Sequence, residues 1–422
     1  MRLYLLGCLT LLAALCICSA DLLAQGATRF QGATLEESSK KLGLGEAKSD
    51  LSALGYTIAP GIVFAPTATL ESGYNSNPDK IFTNSEGSLY GLTNATAVVG
   101  FLNSAGATTV TFRGTLLQYD GDIADSSRWD AGLAIDNAYT VGANTVATFG
   151  AYYLRDAIAF VASDNAGAYG QLAYKDADFE SFGRLKLDRI GYLGNVSGGG
   201  ADPIALLFAQ PSQFDVRRVE GVSGFIFGPQ ARIGFYGEIG GADLDYFSQG
   251  VEDLLDRDAT ELWATGGLRF NLHPSLVVDA GWRVNARQVE DRRVDGPSSN
   301  YFDGRVTWTP TSVLSFVGEI DRSFVEPTST FAVAGDKIHY GAAAVYKARP
   351  DLEFSAGVRH DQIEQIGDVF DYHETEVSLS VTYQWNEKAA IYGVIRNEHV
   401  EEQTTGLTYD RLQVGAGTKI SF

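Results

Sequence analysis

The chain has 422 residues, 52 Asp and Glu against 32 Lys and Arg, a formal charge of −20, and 45% hydrophobic residues. An acidic balance of this size excludes nucleic acid as a partner, because phosphate recognition needs a basic face. Beyond the N-terminus no apolar run approaches the roughly 18 residues of a membrane-spanning helix, so a helical membrane protein is excluded as well.

Residues 1–24 read as an export signal: Arg2 supplies the positive start, Leu3 to Cys18 the apolar stretch, and Ser19, Ala20 and Ala24 the small residues of a cleavage region before Gln25. Cleavage is expected after Ala24, with Ala20 as the alternative. Cys8, Cys16 and Cys18 all fall inside this segment, so the mature chain has no disulfide framework. Neither Cys16 nor Cys18 follows a small residue, which argues against a lipoprotein. Residues 25–59 place Leu35, Leu42, Leu44, Leu51 and Leu54 among Glu, Lys and Ser. They read as a flexible periplasmic leader with short helical turns, or alternatively as a plug or docking helix.

From Gly61 onward, apolar residues recur with period two. Leu276, Val278, Ala280, Trp282, Val284 and Ala286 alternate with Val277, Asp279, Gly281, Arg283, Asn285 and Arg287. Residues two apart share one face of a strand, so one face is greasy and the other polar or small. Strands are predicted near 61–73, 88–103, 107–119, 128–141, 144–155, 166–175, 180–193, 213–227, 230–246 and 260–272. Eight more follow near 275–289, 300–309, 312–325, 336–348, 351–363, 373–385, 388–399 and 407–422. The 47 Gly, 20 Tyr and 23 Phe suit many turns and strands.

Alternation alone also fits a soluble sandwich or a β-solenoid. The connections separate these folds. Short joins such as His273-Pro274, Pro310-Thr311 and Arg349-Pro350 alternate with long polar ones such as 74–87, 194–212 and 247–259. Sorting of this kind predicts an all-β fold over residues 60–422: a transmembrane antiparallel up-and-down barrel of about 18 strands in a Gram-negative outer membrane, both termini in the periplasm. Its expected surroundings are outer-membrane lipids and lipopolysaccharide. Leu412, Val414, Ala416, Thr418, Ile420 and Phe422 line one face of the last strand. The terminal aromatic Phe422 resembles the signal read by the outer-membrane assembly machinery.

No catalytic constellation, cofactor motif or metal spacing is present. His273, His339, His360, His373 and His399 form no HExxH or paired-His pattern. His360 falls on an apolar face, reminiscent of a lipid-facing phospholipase His, although an interfacial histidine is the plainer account. Asp120/Asp122/Asp125 and Glu252/Asp253/Asp256/Asp258 offer oxygen ligands for Ca²⁺ but without EF-hand spacing, and read as solvated outer loops. The informative residues are inward charges. The alternation puts Arg269, Arg283, Arg287, Arg305, Lys337, Lys347, Arg359, Arg396, Arg411 and Lys419 in the lumen with Glu261, Asp279, Asp303, Glu319, Asp321, Glu353, Asp361, Glu376 and Glu398. Their signs nearly balance, so they either line a water-filled pore or form ladders that stiffen the wall. Inward Gly281, Gly341, Gly357, Gly415 and Gly417 are expected to leave space near the wall.

The first strand reads Pro66-Thr67-Ala68-Thr69-Leu70-Glu71-Ser72-Gly73-Tyr74-Asn75-Ser76-Asn77. A proline-bearing strand ending in Tyr-Asn-Ser-Asn resembles the opening of the putative β-barrel porin type 2 family. That resemblance implies a barrel associated with exopolysaccharide or capsule export, passing a sugar polymer or small polar solutes with periplasmic export components as partners. The mixed inward charges suit a neutral or weakly charged polymer better than a polyanion. The alternative from another class is a non-conducting structural or adhesive barrel that acts through its acidic loops.

Overall fold

The computed structural model describes residues 56–78, 86–120, 127–156, 163–192, 215–247, 256–325, 332–367, 371–404 and 406–422. The expectations for the export signal, for most of the leader and for the 194–212 loop lie outside these residues. The strands are β1 (Tyr56–Ala59), β2 (Ile62–Asn75), β3 (Ser88–Leu102), β4 (Gly106–Tyr119), β5 (Ser127–Gly142), β6 (Thr145–Asp156), β7 (Ser163–Lys175), β8 (Phe179–Tyr192), β9 (Val216–Phe227) and β10 (Ile233–Tyr246). They continue as β11 (Ala259–His273), β12 (Leu276–Val289), β13 (Ser298–Thr311), β14 (Leu314–Val325), β15 (Ala334–Arg349), β16 (Leu352–Ile366), β17 (Tyr372–Asn386), β18 (Ala389–Glu402) and β19 (Thr408–Ser421). Each strand from β2 pairs antiparallel with the next, and β19 returns to β2. The result is a closed barrel of 18 strands, β2 to β19, within a 19-stranded sheet. Closure leaves no open edge to satisfy, which is what a strand-built membrane crossing requires.

Alternation decides which side is wet. Along β12, Trp282 and Val284 are exposed on the outside while Asp279, Gly281, Arg283, Asn285 and Arg287 are buried on the inside. Leu185, Ile239, Leu262, Leu379 and Val414 extend the exposed apolar face around the barrel. At the short-turn rim the outer face carries aromatic pairs: Phe179–Phe227 with ring centroids at 4.8 Å, Trp308–Phe316 at 5.3 Å and Tyr346–Phe354 at 6.4 Å. This is the aromatic girdle of a membrane barrel. Side chains close the short turns. Asn103 Oδ1 accepts the amides of Ala105 and Gly106, Asp176 Oδ1 those of Asp178 and Phe179, and Asn386 Oδ1 that of Lys388.

The seam explains the proline. Ser421 pairs with Thr67, and the Phe422 amide donates to the Pro66 carbonyl at 3.1 Å. A residue's N–H and C=O point to the same side of an antiparallel strand. The N–H that Pro66 lacks would face only the terminal carboxylate of Phe422, so the one bond forgone lies at the very end of the ladder. β1 takes over the edge that β19 leaves free, pairing Tyr56 with Phe64 and Thr57 with Val63. Residues 56–59, assigned to the leader from sequence, thus form a short strand annexed to the barrel.

All eighteen barrel strands lie within three residues of their predicted ends. One such shift has a clear cause. β10 begins at Ile233 rather than 230 because Gly228 turns at φ 61°, and Asn271 Nδ2 donates to the carbonyls of Pro229 and Ala231.

Candidate functional site: the inner wall

The charged residues read from the alternation share one face of the sheet, opposite Trp282 and Val284, and the register brings most of them into pairs. Arg269 and Asp279 are direct cross-strand partners, with a two-pronged bond of 2.7 and 2.8 Å. Arg287 is 1% exposed and donates to Glu261 at 3.0 Å and to the Tyr246 hydroxyl at 3.1 Å. Arg283 donates to Asn285 at 2.9 Å, approaches Glu238 at 3.7 Å and lies over the Trp263 ring at 5.4 Å. Arg305 sits in register between Asp279 and Glu319, and Asp303 is buried beside it on the same strand.

The second half of the wall continues this pattern. Arg359 reaches Glu374, Glu376 and Asp361, Arg396 reaches Glu376, and Arg411 reaches Glu398. His339 is held between Asp361 and Glu319, opposite Asp321. Glu353 is buried opposite Lys347. Fork-on-carboxylate geometry in a half-buried wall is strong and directional. The charges therefore form ladders on the wall.

The inward glycines do not leave space, contrary to expectation. A Cβ on Gly281 would meet Tyr236, on Gly415 Tyr90 and Glu71, on Gly417 Tyr392, and on Gly341 His339 and Glu319. They are seats for neighbouring side chains. Tyr152 likewise lies against Gly167, Tyr169 against Gly150, and Trp263 against Gly240. Several seated rings bond through their polar tips: Tyr90 and Tyr392 donate to Glu71 at 2.6 and 2.7 Å, Tyr169 to Asp136 at 2.7 Å, and Trp263 to Glu238 at 3.1 Å. Aromatics laid on glycine stay flat to the wall.

Sequence reasoning passed over several inner residues. Trp263 is a large apolar side chain on the wet face, which the greasy-outside rule misplaces. Arg113, Arg184, Lys186, Arg218 and Glu220 follow the same alternation on earlier strands. Arg184 and Arg218 both bond Glu220, and Lys186 pairs with Asp188. The Tyr-Asn-Ser-Asn segment proves architectural. Asn75 Nδ2 donates to the Tyr119 hydroxyl, Asn75 Oδ1 accepts the Asn77 amide, and Ser76 exchanges bonds with Leu412 across the seam.

At the long-loop rim, Arg257 is buried and donates from Nε to the Ala332 carbonyl at 2.9 Å, with Ala332 to Ala334 fully buried around it. Asp256, Asp258 and Glu290 bring carboxylates together there. Burial first, then Asp256, Asp245 and Glu290, push the Asp258 carboxyl above its usual range. Nearby Asp291 is held well below that range, chiefly by Arg293. His360 faces outward as expected, but its cross-strand neighbours are Tyr340 and Thr375, with Nδ1 at 2.8 Å from the Thr375 hydroxyl. No serine stands on either adjoining strand position. A groove of about 1340 Å³ also lies outside, floored by Gly221 and Gly241 and flanked by Leu185, Ile239 and Leu262.

The wall is thus a closed sheet with an apolar exterior and a polar, ion-paired interior. Residues 228–422 match the model of the family described as "Putative beta-barrel porin 2". The porin match covers β10 to β19, whereas the motif that resembles the family lies in β2. Among solved structures, OpdK of Pseudomonas aeruginosa is similar at 10% identity, covering 85% of this chain and 99% of that one, with a TM-score of 0.48. OccK9 (OpdG) of the same organism is similar at 12% identity, 85% and 98% coverage and a TM-score of 0.47. A structure described as a bacterial polysaccharide outer membrane secretin is similar at 10% identity, 85% and 98% coverage and a TM-score of 0.38. No curated protein matches the chain.

Proposed function

We propose that the protein is a channel of a Gram-negative outer membrane, with its short turns in the periplasm and its long loops outside. A single observation carries this reading: the inner wall of the closed barrel bears charged and hydroxyl side chains around its circumference, broken only locally by apolar clusters such as Ala173 with Phe182 and Val222, and Val216 with Ala242 and Leu244. Such a face needs water beside it, and a barrel of roughly 18 strands is wide enough to hold an aqueous passage. Every described segment is a strand of the wall or a connection at its rims. The cargo we propose is a polysaccharide in export or small polar solutes, as the family resemblance implies. Membrane lipids, lipopolysaccharide, the assembly machinery and periplasmic export components would be its partners.

The test is conductance in planar bilayers together with swelling of liposomes in neutral oligosaccharides of graded size. Stepwise conductance and swelling with a size limit support the channel. A folded barrel that passes neither ions nor sugars would favour the structural or adhesive reading, to which the mutual pairing of the wall charges already lends some weight.

A further inference from the structure

Among the described residues, Arg113 forms no ion pair with a carboxylate and lies over no aromatic ring, although it faces the lumen. Other inward arginines have committed their donors: Arg184 to Glu220, Arg269 to Asp279, Arg287 to Glu261, Arg359 to Glu374 and Arg411 to Glu398. Arg113 is exposed, and it is the eighth of the fourteen residues of β4, midway between the rims. Its cross-strand neighbours are Thr96 on one side and Gly132 on the other. A Cβ built on Gly132 would meet Leu154 Cδ1 at 3.3 Å, the Tyr153 carbonyl at 3.7 Å and, of Arg113, the Cβ at 3.8 Å. The guanidinium is therefore not laid over that glycine as the tyrosine rings are laid over theirs.

The surroundings are hydroxylated and nearly free of charge. Thr67, Thr96 and Arg113 share one register row, and Thr111 lies next to Arg113 on the same face of β4. Ala65, Val98 and Ala134 complete this part of the wall. Of the inward carboxylates nearby, Glu71 accepts from Tyr90 and Tyr392, Asp136 accepts from Tyr169, and Asp130 is buried opposite Thr115, one step along the face from the Arg113–Gly132 pair. A free guanidinium fork matches a carboxylate with two parallel bonds. Hydroxyls that both donate and accept match the hydroxyls of a sugar.

Building on the channel reading above, we propose that Arg113, Thr96, Thr111 and Thr67 form a mid-depth subsite for a hydroxyl-rich solute carrying a carboxylate, such as a sugar acid or an acidic unit within a polymer. The remaining wall cations stiffen the barrel, and Arg113 greets the cargo. This refines the sequence-based preference for a weakly charged polymer by giving its occasional carboxylates a place to rest.

Single-channel recording with glucuronate and glucose as probes tests the subsite. Wild-type channels should be blocked more strongly by glucuronate than by glucose. Arg113→Gln should weaken the glucuronate block by about tenfold, as expected for losing a charged hydrogen-bonded contact, and should move the reversal potential in a KCl gradient toward cation preference. Arg113→Lys should retain the reversal potential and lose part of the block. A conducting Arg113→Gln channel with unchanged block and reversal potential would overturn the subsite and leave the channel intact. A folded wild-type barrel without conductance would overturn the channel itself, and the subsite with it.

Discussion

The amide of Phe422 donates to the carbonyl of Pro66 at 3.1 Å, so the last residue of the chain is bonded to a proline in the first strand of the barrel. That bond is one among many along the seam, and the Phe422 ring is half exposed on the outer face. Removing it from a finished barrel should cost on the order of 1 kcal/mol. We expect deletion of Phe422, or Phe422→Asp, to leave detergent refolding nearly unchanged while lowering the amount of heat-modifiable barrel in the outer-membrane fraction. Normal membrane levels would show that the terminal aromatic is not read during assembly.

The outer face sets a second expectation. Val284, 47% exposed, lies in the middle of β12, whereas Val278 is near its short-turn end. Val284→Arg should cost about 2–4 kcal/mol of folding free energy, the price of arginine at mid-bilayer. Arg113→Gln, at a solvated lumen site, should cost almost nothing. Asp279→Asn should fall between them, because it leaves the Arg269 fork facing an amide. Equal midpoints for Val284→Arg and Arg113→Gln in urea refolding would show that β12 is not embedded in this register.

How much of this was legible beforehand depends on what each feature rests on. Period-two alternation needs only local sequence, so Asp279, Arg283 and Arg287 could be placed on the inner face without any partner known. The signal fades where both faces turn polar, which is why β18 runs on to Glu402 past its predicted end. Pairing is a property of register. Nothing in the sequence around Arg287 names Glu261 and Tyr246, and nothing around Gly415 names Tyr90. Arg113 was visible by the same alternation as Arg287, but its isolation emerges only when both neighbouring strands are in place.

Arg287 and Glu261 offer a test of what the ladders do. Arg287→Leu leaves Glu261 with only the longer contact to Arg218, at 3.4 Å, and should destabilise the barrel by roughly 3 kcal/mol, since the buried carboxylate loses its main partner. The double replacement Arg287→Leu with Glu261→Leu should recover most of that loss. A double variant as unstable as the sum of the two singles would mean that the pair is not coupled.

Gly415 connects wall architecture to passage. A Cβ there would press on the Tyr90 hydroxyl and on Glu71. Gly415→Ala should therefore push the Tyr90 ring off the wall and reduce single-channel conductance. Adding Tyr90→Phe removes the crowded hydroxyl and should restore part of the current. If conductance is the same in all three proteins, seating of the rings does not set the passage width.

The acidic rim gives a pH dependence whose two contributions have opposite sign. Asp258 has its carboxyl raised above the ordinary value of 3.8, so the folded state favours its neutral form. Its contribution to stability is present below that ordinary value and is lost as pH rises through the raised one. Asp291 is lowered, so its contribution is present above 3.8 and is lost as pH falls. Asp258→Asn keeps an oxygen for the Tyr246 amide, which Asp258 Oδ1 now accepts at 2.6 Å, and removes a charge crowded by Asp256, Asp245 and Glu290. We therefore expect Asp258→Asn to raise the thermal midpoint in detergent at pH 7 and to have little effect at pH 3, where the wild-type group is already protonated. Asp291→Asn should lower the midpoint at pH 7, because the carboxylate that accepts from Arg293 and from the Asp256 amide is gone. If Asp258→Asn destabilises the protein at pH 7 as much as Asp291→Asn does, then Asp258 is held by an attraction that outweighs its crowded surroundings, and the opposed signs assigned to the two aspartates are wrong.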